Sequence, residues 1–534
     1  MIRIKNSKRI TSNFKRWMQI TVAALLTTAA AQAVTHPSMI IDTNDLPRII
    51  CANGRYLQYM RFDGSAWTVE NVTEVAVGRS VRFPSLAIDT QERPHISYCD
   101  LKDANDADLV YTYFDGSVWN NAVVEDSYNK SYGTYGTSIT IDNGGSPHIA
   151  YHHHRGGYDG KHAYRVSGIW NKEVFDSNGS YYTSAAFDNS GKICISYFQD
   201  NSADLLYRTR NTNGSWTSQT VDTSPSLVFG STKLIFDPVT GYPRIGYYSS
   251  DLLEMRYASY NGATWSVSTV ASSLPSTYGN YGLTAVALAS DGTPHFAYTD
   301  ITSNALIHAV HNGISWQKEC ISMESGAYCA IDLTSDDTPI ICHYNNIKGS
   351  LEVLWLQGEN WVSSYPQTLI MSRETADQDH NGKLDRIKIT VNKDLNDNFS
   401  GLVTTIDERT ITGFTSGESN DGIFYILFDE NGAYDTGDIP ALQITTNSSL
   451  NAGGELLSID AAPVLPTDAA PPVITSCAVT STTFTCKASE VITRLSRRSN
   501  LVEGEWERVL PDPSGSIAKD TNAVFRAFFY KVSE

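Results

Sequence analysis

Helical periodicity is missing from this chain, and so are the motifs that announce a chemistry. There is no Gly-x-Ser-x-Gly, no His-Glu-x-x-His and no glycine loop in the context that cradles phosphate. The eight cysteines include no Cys-x-x-Cys pair, which leaves a thiolate zinc site or a dithiol redox motif without support. Positive charge is scarce, with 40 Lys and Arg against 58 Asp and Glu. An acidic chain lacks the basic face that nucleic acid or an anionic membrane needs, so neither is expected as a partner. Beyond residue 33 no stretch is apolar enough to span a bilayer.

The first 33 residues are different. Arg3, Lys5, Lys8, Arg9, Lys15 and Arg16 come with no acid, an apolar run follows from Ile20 to Ala30, and Ala31-Gln32-Ala33 closes it. Basic, apolar and small residues in that order predict a secretory signal peptide over 1–33, and hence a secreted or cell-surface protein. Cleavage there would take the formal charge from −18 to about −24. Export permits disulfides. Cys477 and Cys486 flank a hairpin-like "AVTSTTFT", and Cys320 and Cys329 flank "ISMESGAY", so each pair is expected to be able to bridge. Cys51, Cys99, Cys194 and Cys342 lie in or beside apolar strand stretches and read as buried free thiols.

What the chain does have is a repeat. Tryptophan recurs at 67, 119, 170, 216, 265, 316 and 361, and proline at 47, 94, 147, 243, 294 and 339, with Ile193 in the proline's place once. Each unit reads as four short β-branched and aromatic runs parted by turns, as in "SLAID", "HISY", "LVYTYF" and "WNNAVVE". Four antiparallel strands in about 45–52 residues make a propeller blade, and one blade alone cannot bury both faces. The fold class expected is all-β: a seven-bladed β-propeller over 37–366, each blade complete in itself. The first strand of each unit opens on Ser38, Ser85, Ser138, Ser184, Lys233, Ala285 or Ala330. Six small residues suit an innermost strand, where blades crowd the axis. Lys233 breaks the rule, either as a lysine in a wet central channel or as an anion-binding residue on the axis.

The Gly-x-x-Trp turn before the fourth strand resembles the Asp-box, or bacterial neuraminidase, repeat of sialidase-like propellers. Asp63-Gly64 and Asp115-Gly116 are adjacent here, whereas the family places a residue between them. The resemblance therefore implies a scaffold, with no activity attached. No arginine trio of the sialidase kind is visible.

Blade loops carry the candidate site. "PHIAYHHHRGGYDGKHAY" puts His152, His153, His154 and Arg155 at the expected start of a second-to-third-strand loop that His162 closes. Alternation on an extended segment lets His152 and His154 converge while His153 points elsewhere. Links into neighbouring blades bring Tyr132, Tyr135, Tyr181, Tyr182, Tyr278 and Tyr281 to the same face. Tyrosine offers a flat apolar ring with a hydroxyl, which suits sugars. Glycan or polysaccharide binding is the function expected. The alternatives are a lyase on uronate polymers, and an adhesion module with a protein or cell-surface partner. In the lyase, His152 or His154 would be the base, Tyr135 or Tyr182 the acid, and Arg155 or Lys233 the carboxylate clamp. Seven-bladed propeller lyases exist, and the chain is similar to them in architecture.

The repeat stops after Trp361. In "TADQDHNGKLDRIKITV", Asp377, Asp379, Asn381 and Asp385 take alternating positions of a calcium loop, and Lys383 offers its carbonyl. Position twelve is Lys388, in a strand-like run, so a structural calcium ion is expected at the entry to an Ig-like β-sandwich over 367–465. The loop resembles those of bacterial Ig-like repeats on exported proteins. After a proline-rich linker, a small β-module is expected over 473–534.

Overall fold

The structure, a computed structural model, describes residues 34–103, 106–126, 134–154, 158–199, 202–223, 231–249, 251–274, 284–300, 302–379, 383–419, 421–430, 439–452, 455–457 and 463–467, and the backbone of six short strands between 474 and 533. The signal peptide expected over 1–33 lies outside the described residues. All regular structure among those described is β, and no helix is long and apolar enough to cross a membrane. The chain divides into two compact units, Met1–Gln367 and Thr368–Glu534.

The first unit contains many four-stranded antiparallel sheets of propeller-like form, each made of four consecutive strands in meander order. They occupy 34–74, 80–125, 134–176, 181–222, 232–271, 285–322 and 325–364, numbered here as sheets 1 to 7. The repeat marks fall at strand starts. Every second strand opens on Pro47, Pro94, Pro147, Ile193, Pro243, Pro294 or Pro339. A residue with no N–H to give to the ladder is tolerated at that first position. The tryptophans open the fourth strands, Trp170 and Trp361 one residue in. Each indole reaches back to the sheet before it: Trp119 lies edge-on to Tyr59 at 5.5 Å, Trp170 to Tyr111 at 5.2 Å, and Trp316 to Tyr257 at 5.8 Å. Trp67 of sheet 1 instead donates its indole N–H to Ser364 Oγ of sheet 7 at 2.8 Å.

First strands contact one another in series, and the first strand of sheet 7 contacts that of sheet 1. The small residues expected there also act as acceptors. Ser38 Oγ takes the Leu86 N–H at 3.2 Å, Ser85 that of Ile139 at 3.2 Å, Ser138 that of Ala185 at 2.9 Å, and Ser184 that of Leu234 at 2.9 Å. Each hydroxyl thus reaches the first strand of the following sheet.

Turns between first and second strands hold a left-handed residue. It is glycine at 145, 191, 241 and 292, but Asp45, Glu92 and Asp337 elsewhere, at φ of 61°, 59° and 66°. Where the residue is acidic it grips the preceding turn. Ser335 donates to Asp45 through N–H and hydroxyl at 2.6 and 2.7 Å, Ser290 to Asp337 at 2.7 and 2.6 Å, and the Thr43 N–H to Glu92 at 3.3 Å.

The expected Cys320–Cys329 bridge is not formed. Cys320 is exposed on the outer strand of sheet 6, with its thiol 3.4 Å from Ser322 O. Cys329 is buried on the first strand of sheet 7 and donates to Ala297 O at 3.4 Å. The two belong to different sheets, so the short intervening segment is a link and no hairpin. Cys51, Cys99, Cys194 and Cys342 are buried and free, as read from the sequence.

In the second unit, strands Ile370–Ala376, Arg386–Val391, Ile423–Phe428 and Ile411–Ser416 form one sheet, and Leu402–Ile406 pairs with Leu442–Asn447. Alternate residues point inward: Ile387, Ile389, Phe424 and Ile426 from the first sheet meet Leu402, Ile406, Leu442 and Ile444 from the second in one core. Further on, Ile474–Val479 and Phe484–Ala488 pair with Cys477 opposite Cys486; their side chains lie outside the described residues.

Candidate functional site

The second strand of sheet 3 runs Pro147–His154 and the third starts at Tyr158. The histidine triplet therefore ends a strand; it does not open a loop. The ladder continues through it, with His152 opposite Gly160 and Tyr135, His153 opposite Asp159 and Thr134, and His154 opposite Tyr158. A register shift between Tyr151 and His152 marks where the inner pairing adjusts.

His152 and His153 are 3 % and 1 % exposed, so both side chains belong to sheet junctions. Alternation sends them apart. The His152 ring meets Tyr181 of sheet 4 edge-on, with centroids 4.9 Å apart at 88°. His153 Nε2 stands 3.6 Å from Glu125 Oε1 at the end of sheet 2. Tyr181 and Tyr182 open the first strand of sheet 4, and both are half-buried, their rings 6.4 Å apart. Burial pushes the Tyr182 phenol well above its ordinary value, so it stays protonated. Tyr135 and His154 lie on described strands, but their side chains are outside the described residues, as are Tyr132, Arg155, Tyr278 and Tyr281 entirely.

His162 is a correction. It sits inside the third strand of sheet 3, 1 % exposed, with Nε2 2.9 Å from His148 Nδ1 and Nδ1 3.0 Å from Glu173 Oε1. Sheet 6 repeats the arrangement through His295, His308 and Glu319. The position lies eight residues before the tryptophan, where Tyr59, Tyr111 and Tyr257 stand in other sheets. It serves the scaffold at a sheet junction and closes no loop.

The sequence reading missed a set of polar junctions beside the triplet. Glu125 of sheet 2 receives the Tyr151 hydroxyl at 3.3 Å, Lys161 Nζ at 3.3 Å and Lys172 Nζ at 2.9 Å, all from sheet 3. Burial alone would raise this carboxyl; the Lys172 hydrogen bond and the Lys161, Lys172 and His153 charges outweigh it and hold the group below the usual range. Asp176 of sheet 3 receives Tyr197 at 2.5 Å, Gln199 at 2.7 Å and Arg208 at 3.0 Å from sheet 4. Asp222 of sheet 4 is held by Tyr247 and Arg256 of sheet 5. A signal existed: the acid stands six residues after the tryptophan, and the tyrosine four after the proline of the next unit, or after Ile193 in its place.

Lys233 lies on the first strand of sheet 5. It keeps accessible surface although protein surrounds it, as a side chain in an enclosed wet space would. Burial lowers its ammonium's pKa, and the Asp332 carboxylate opposes the shift. Asp332 accepts the Ile41 N–H at 2.9 Å, which ties the first strand of sheet 7 to that of sheet 1.

In the second unit Asp377 is buried, Asp385 Oδ1 pairs with Arg386 Nε at 2.8 Å, and Asp385 Oδ2 takes the Gln378 N–H at 3.3 Å. Lys383 Nζ stands 3.7 Å from Glu430, and Asn381 lies outside the described residues. Among the described residues no three or more His, Cys, Asp or Glu gather as a metal centre. A cleft of about 460 Å³ lined by Asp407, Arg409 and Pro440 belongs to this unit and contains no candidate residue.

These features define an all-β protein whose first unit is built of propeller-like four-stranded sheets, with imidazole and phenol groups packed at the sheet junctions. No family model matches the chain, and no curated protein matches it. Among solved structures it is similar to a PL25 ulvan lyase bound to -[GlcA(1-4)Rha3S]- (12 % identity, TM-score 0.42, 63 % of this chain and 96 % of that one). It is also similar to a mutant Aleuria aurantia lectin in complex with Fucalpha1-6GlcNAc (14 %, 0.39, 56 % and 99 %). A third is the intramolecular trans-sialidase from Ruminococcus gnavus (9 %, 0.36, 63 % and 95 %). Likenesses this distant carry no argument about chemistry, which rests on the geometry above.

Proposed function

We propose that the seven sheets are the blades of one closed β-propeller, and that the face where second strands end binds a polysaccharide or glycan. The observation that carries the reading is the meeting of His152 with Tyr181 across the junction of sheets 3 and 4, beside Tyr182. The half-buried Tyr181 and Tyr182 rings, with buried His152 behind them, would supply the apolar surface and polar rim that a pyranose needs. The contact of sheet 7 with sheet 1 supports closure. His154, Arg155, Tyr132, Tyr135, Tyr278 and Tyr281 would extend the surface, buried His153 would stand beneath it, and Lys233 would stand on the axis. A signal peptide over 1–33 would deliver the protein outside the cytoplasm.

A lyase is the second reading, and the gathering of an imidazole and two phenols at one junction favours it. His152 or His154 would take the proton beside a uronate carboxylate while the Tyr135 or Tyr182 phenol protonates the departing glycosidic oxygen, leaving an unsaturated end. A glycan array and an ultraviolet assay on uronate polymers separate the two. Binding without new unsaturated ends supports the first, and absorbance growth supports the second. Capture of a protein partner with neither result would favour adhesion. Under either glycan reading, His152→Ala and Tyr181→Ala reduce binding or turnover, and unchanged function in both removes the site.

For the second unit we propose an Ig-like sandwich over 367–465, followed by a small β-module over 473–534. We also propose a structural calcium ion held by Asp377, Asp379, Asn381, the Lys383 carbonyl and Asp385. The donors are all oxygen, as calcium prefers, and the Asp385 bond to the Gln378 N–H draws the loop's two ends together. Arg386 occupies one Asp385 oxygen and would share it. Chelation lowers the melting temperature of this unit; an identical melt with and without chelator removes the ion.

A further inference from the structure

Two residues before each small axial residue stands a position with an odd occupant. It is His36 in sheet 1, Phe83 in sheet 2, Gly136 in sheet 3, Tyr182 in sheet 4 and Tyr328 in sheet 7. His36, Phe83 and Tyr182 have φ of 53°, 51° and 53°, and Gly136 has 58°. The register shifts beside these residues in sheets 1, 2 and 4 mark bulges. A bulge with a left-handed residue is best served by glycine, as sheet 3 shows. An aromatic or histidine side chain there is strained, and strain of this kind persists where the side chain is used.

The rings are gathered. His36 lies 4.8 Å from Phe83 and 4.5 Å from Tyr328, so sheets 7, 1 and 2 present touching rings. All four aromatic side chains are half-buried, so part of each faces out. His36 Nδ1 is buried with no hydrogen-bond partner among the described residues. Burial, with Arg82 adding to it, lowers the His36 pKa to about 3, so the ring is neutral and stacks as an uncharged aromatic surface.

We propose that His36, Phe83, Tyr182 and Tyr328 form a collar at the mouth of the axial space, which stacks on the apolar face of a terminal sugar ring entering end-on. A mouth enclosed by first strands admits a chain end and excludes a chain running across it. The inference rests on the glycan-binding reading and narrows it to the unit at the end of the chain.

The test uses the full chain and two probes, methyl glucoside and methyl glucuronide, followed by saturation-transfer NMR. At least one probe binds. Phe83→Gly and His36→Gly weaken that binding about five- to tenfold, as expected for lost ring contacts. Relief of the left-handed backbone offsets part of the packing that Phe83 loses against Cys99, Leu101 and Ala107, so both variants stay folded with a modest shift in melting temperature. Phe83→Tyr keeps the ring and keeps the binding, which guards against a misfolded glycine variant. Undiminished binding in both glycine variants overturns the proposal. So does polysaccharide binding by a chain that takes neither methyl glycoside, and that result leaves the broader reading standing. Absence of binding to every glycan tested overturns both.

Discussion

The junctions of sheets 2 to 5 and the seam between sheets 7 and 1 do the same job and differ in what stands beside their apolar cores. Along the first, a carboxylate from one sheet is held by a tyrosine and a lysine or arginine from the next: Glu125, Asp176 and Asp222. At the seam, Met39, Ile49, Cys51 and Met60 pack on Ile340, Cys342, Leu351 and Val353. The position that holds tyrosine in sheets 2 to 6 is Cys51 in sheet 1. Polar junctions are selective about their neighbour, because an unpaired buried charge is costly. Apolar packing at the heart of the seam tolerates imprecise approach, and bonds from Trp67 to Ser364, Ile41 to Asp332 and Ser335 to Asp45 fix its margins, where chain regions far apart in sequence must meet. The imidazoles and phenols of the candidate site occur on the polar side of this division.

The sharpest way to break the contrast is Asp176→Ala. Its side chain is 1 % exposed, and its loss strands Arg208, Tyr197 and Gln199, at a cost of about 3–5 kcal/mol in denaturant melts. Adding Arg208→Met recovers a large part, whereas a purely steric role for Asp176 would leave the double variant as weak as the single. At the seam, Met60→Ala leaves a cavity and costs about 2–5 kcal/mol. No second substitution of a charged group rescues it.

Acid sharpens the same comparison. His148, facing His162, Asp142 and Arg210, and His295, facing His308, Asp291 and Asp337, both have pKa values lowered by burial from 6.5 to about 4. The unfolded chain therefore binds more protons between those values. Stability is fully present above about pH 6.5 and is lost as pH falls toward 4. A His148→Gln, His295→Gln variant shows a flatter melting temperature across that window, and an unchanged slope would acquit both pairs. The smallest effect is expected at the turns. Ser335→Ala removes only the hydroxyl bond to Asp45 and costs about 1 kcal/mol, read as a small shift in midpoint.

Much of the first unit was legible because its marks are backbone requirements. Proline can start a strand but cannot sit within a ladder, and an indole needs a partner sheet, so both recur in phase. The histidine triplet lies on a strand and not in the expected loop, because a run of polar residues does not by itself end a strand. Backbone pairing is indifferent to polarity when neighbouring sheets supply partners, as Tyr181 and Glu125 do for His152 and His153. His162 was misread for the same reason, though its spacing from Trp170 matched Tyr111 from Trp119. The carboxylate junctions pair residues from consecutive units, so no single unit displays them. The left-handed collar was invisible because φ leaves no trace in residue type once glycine is replaced.

The serine hydroxyls on the first strands give the interior a direction. Each looks only forward, from Ser38 to Leu86, then Ile139, Ala185 and Leu234, and the relay stops where Lys233, Ala285 and Ala330 have no hydroxyl to offer. Deuterium should therefore enter the inner amides unevenly, slowest at those four and sooner at Val286 and Ile331. If the first unit breathes, it opens on the side that carries the lysine.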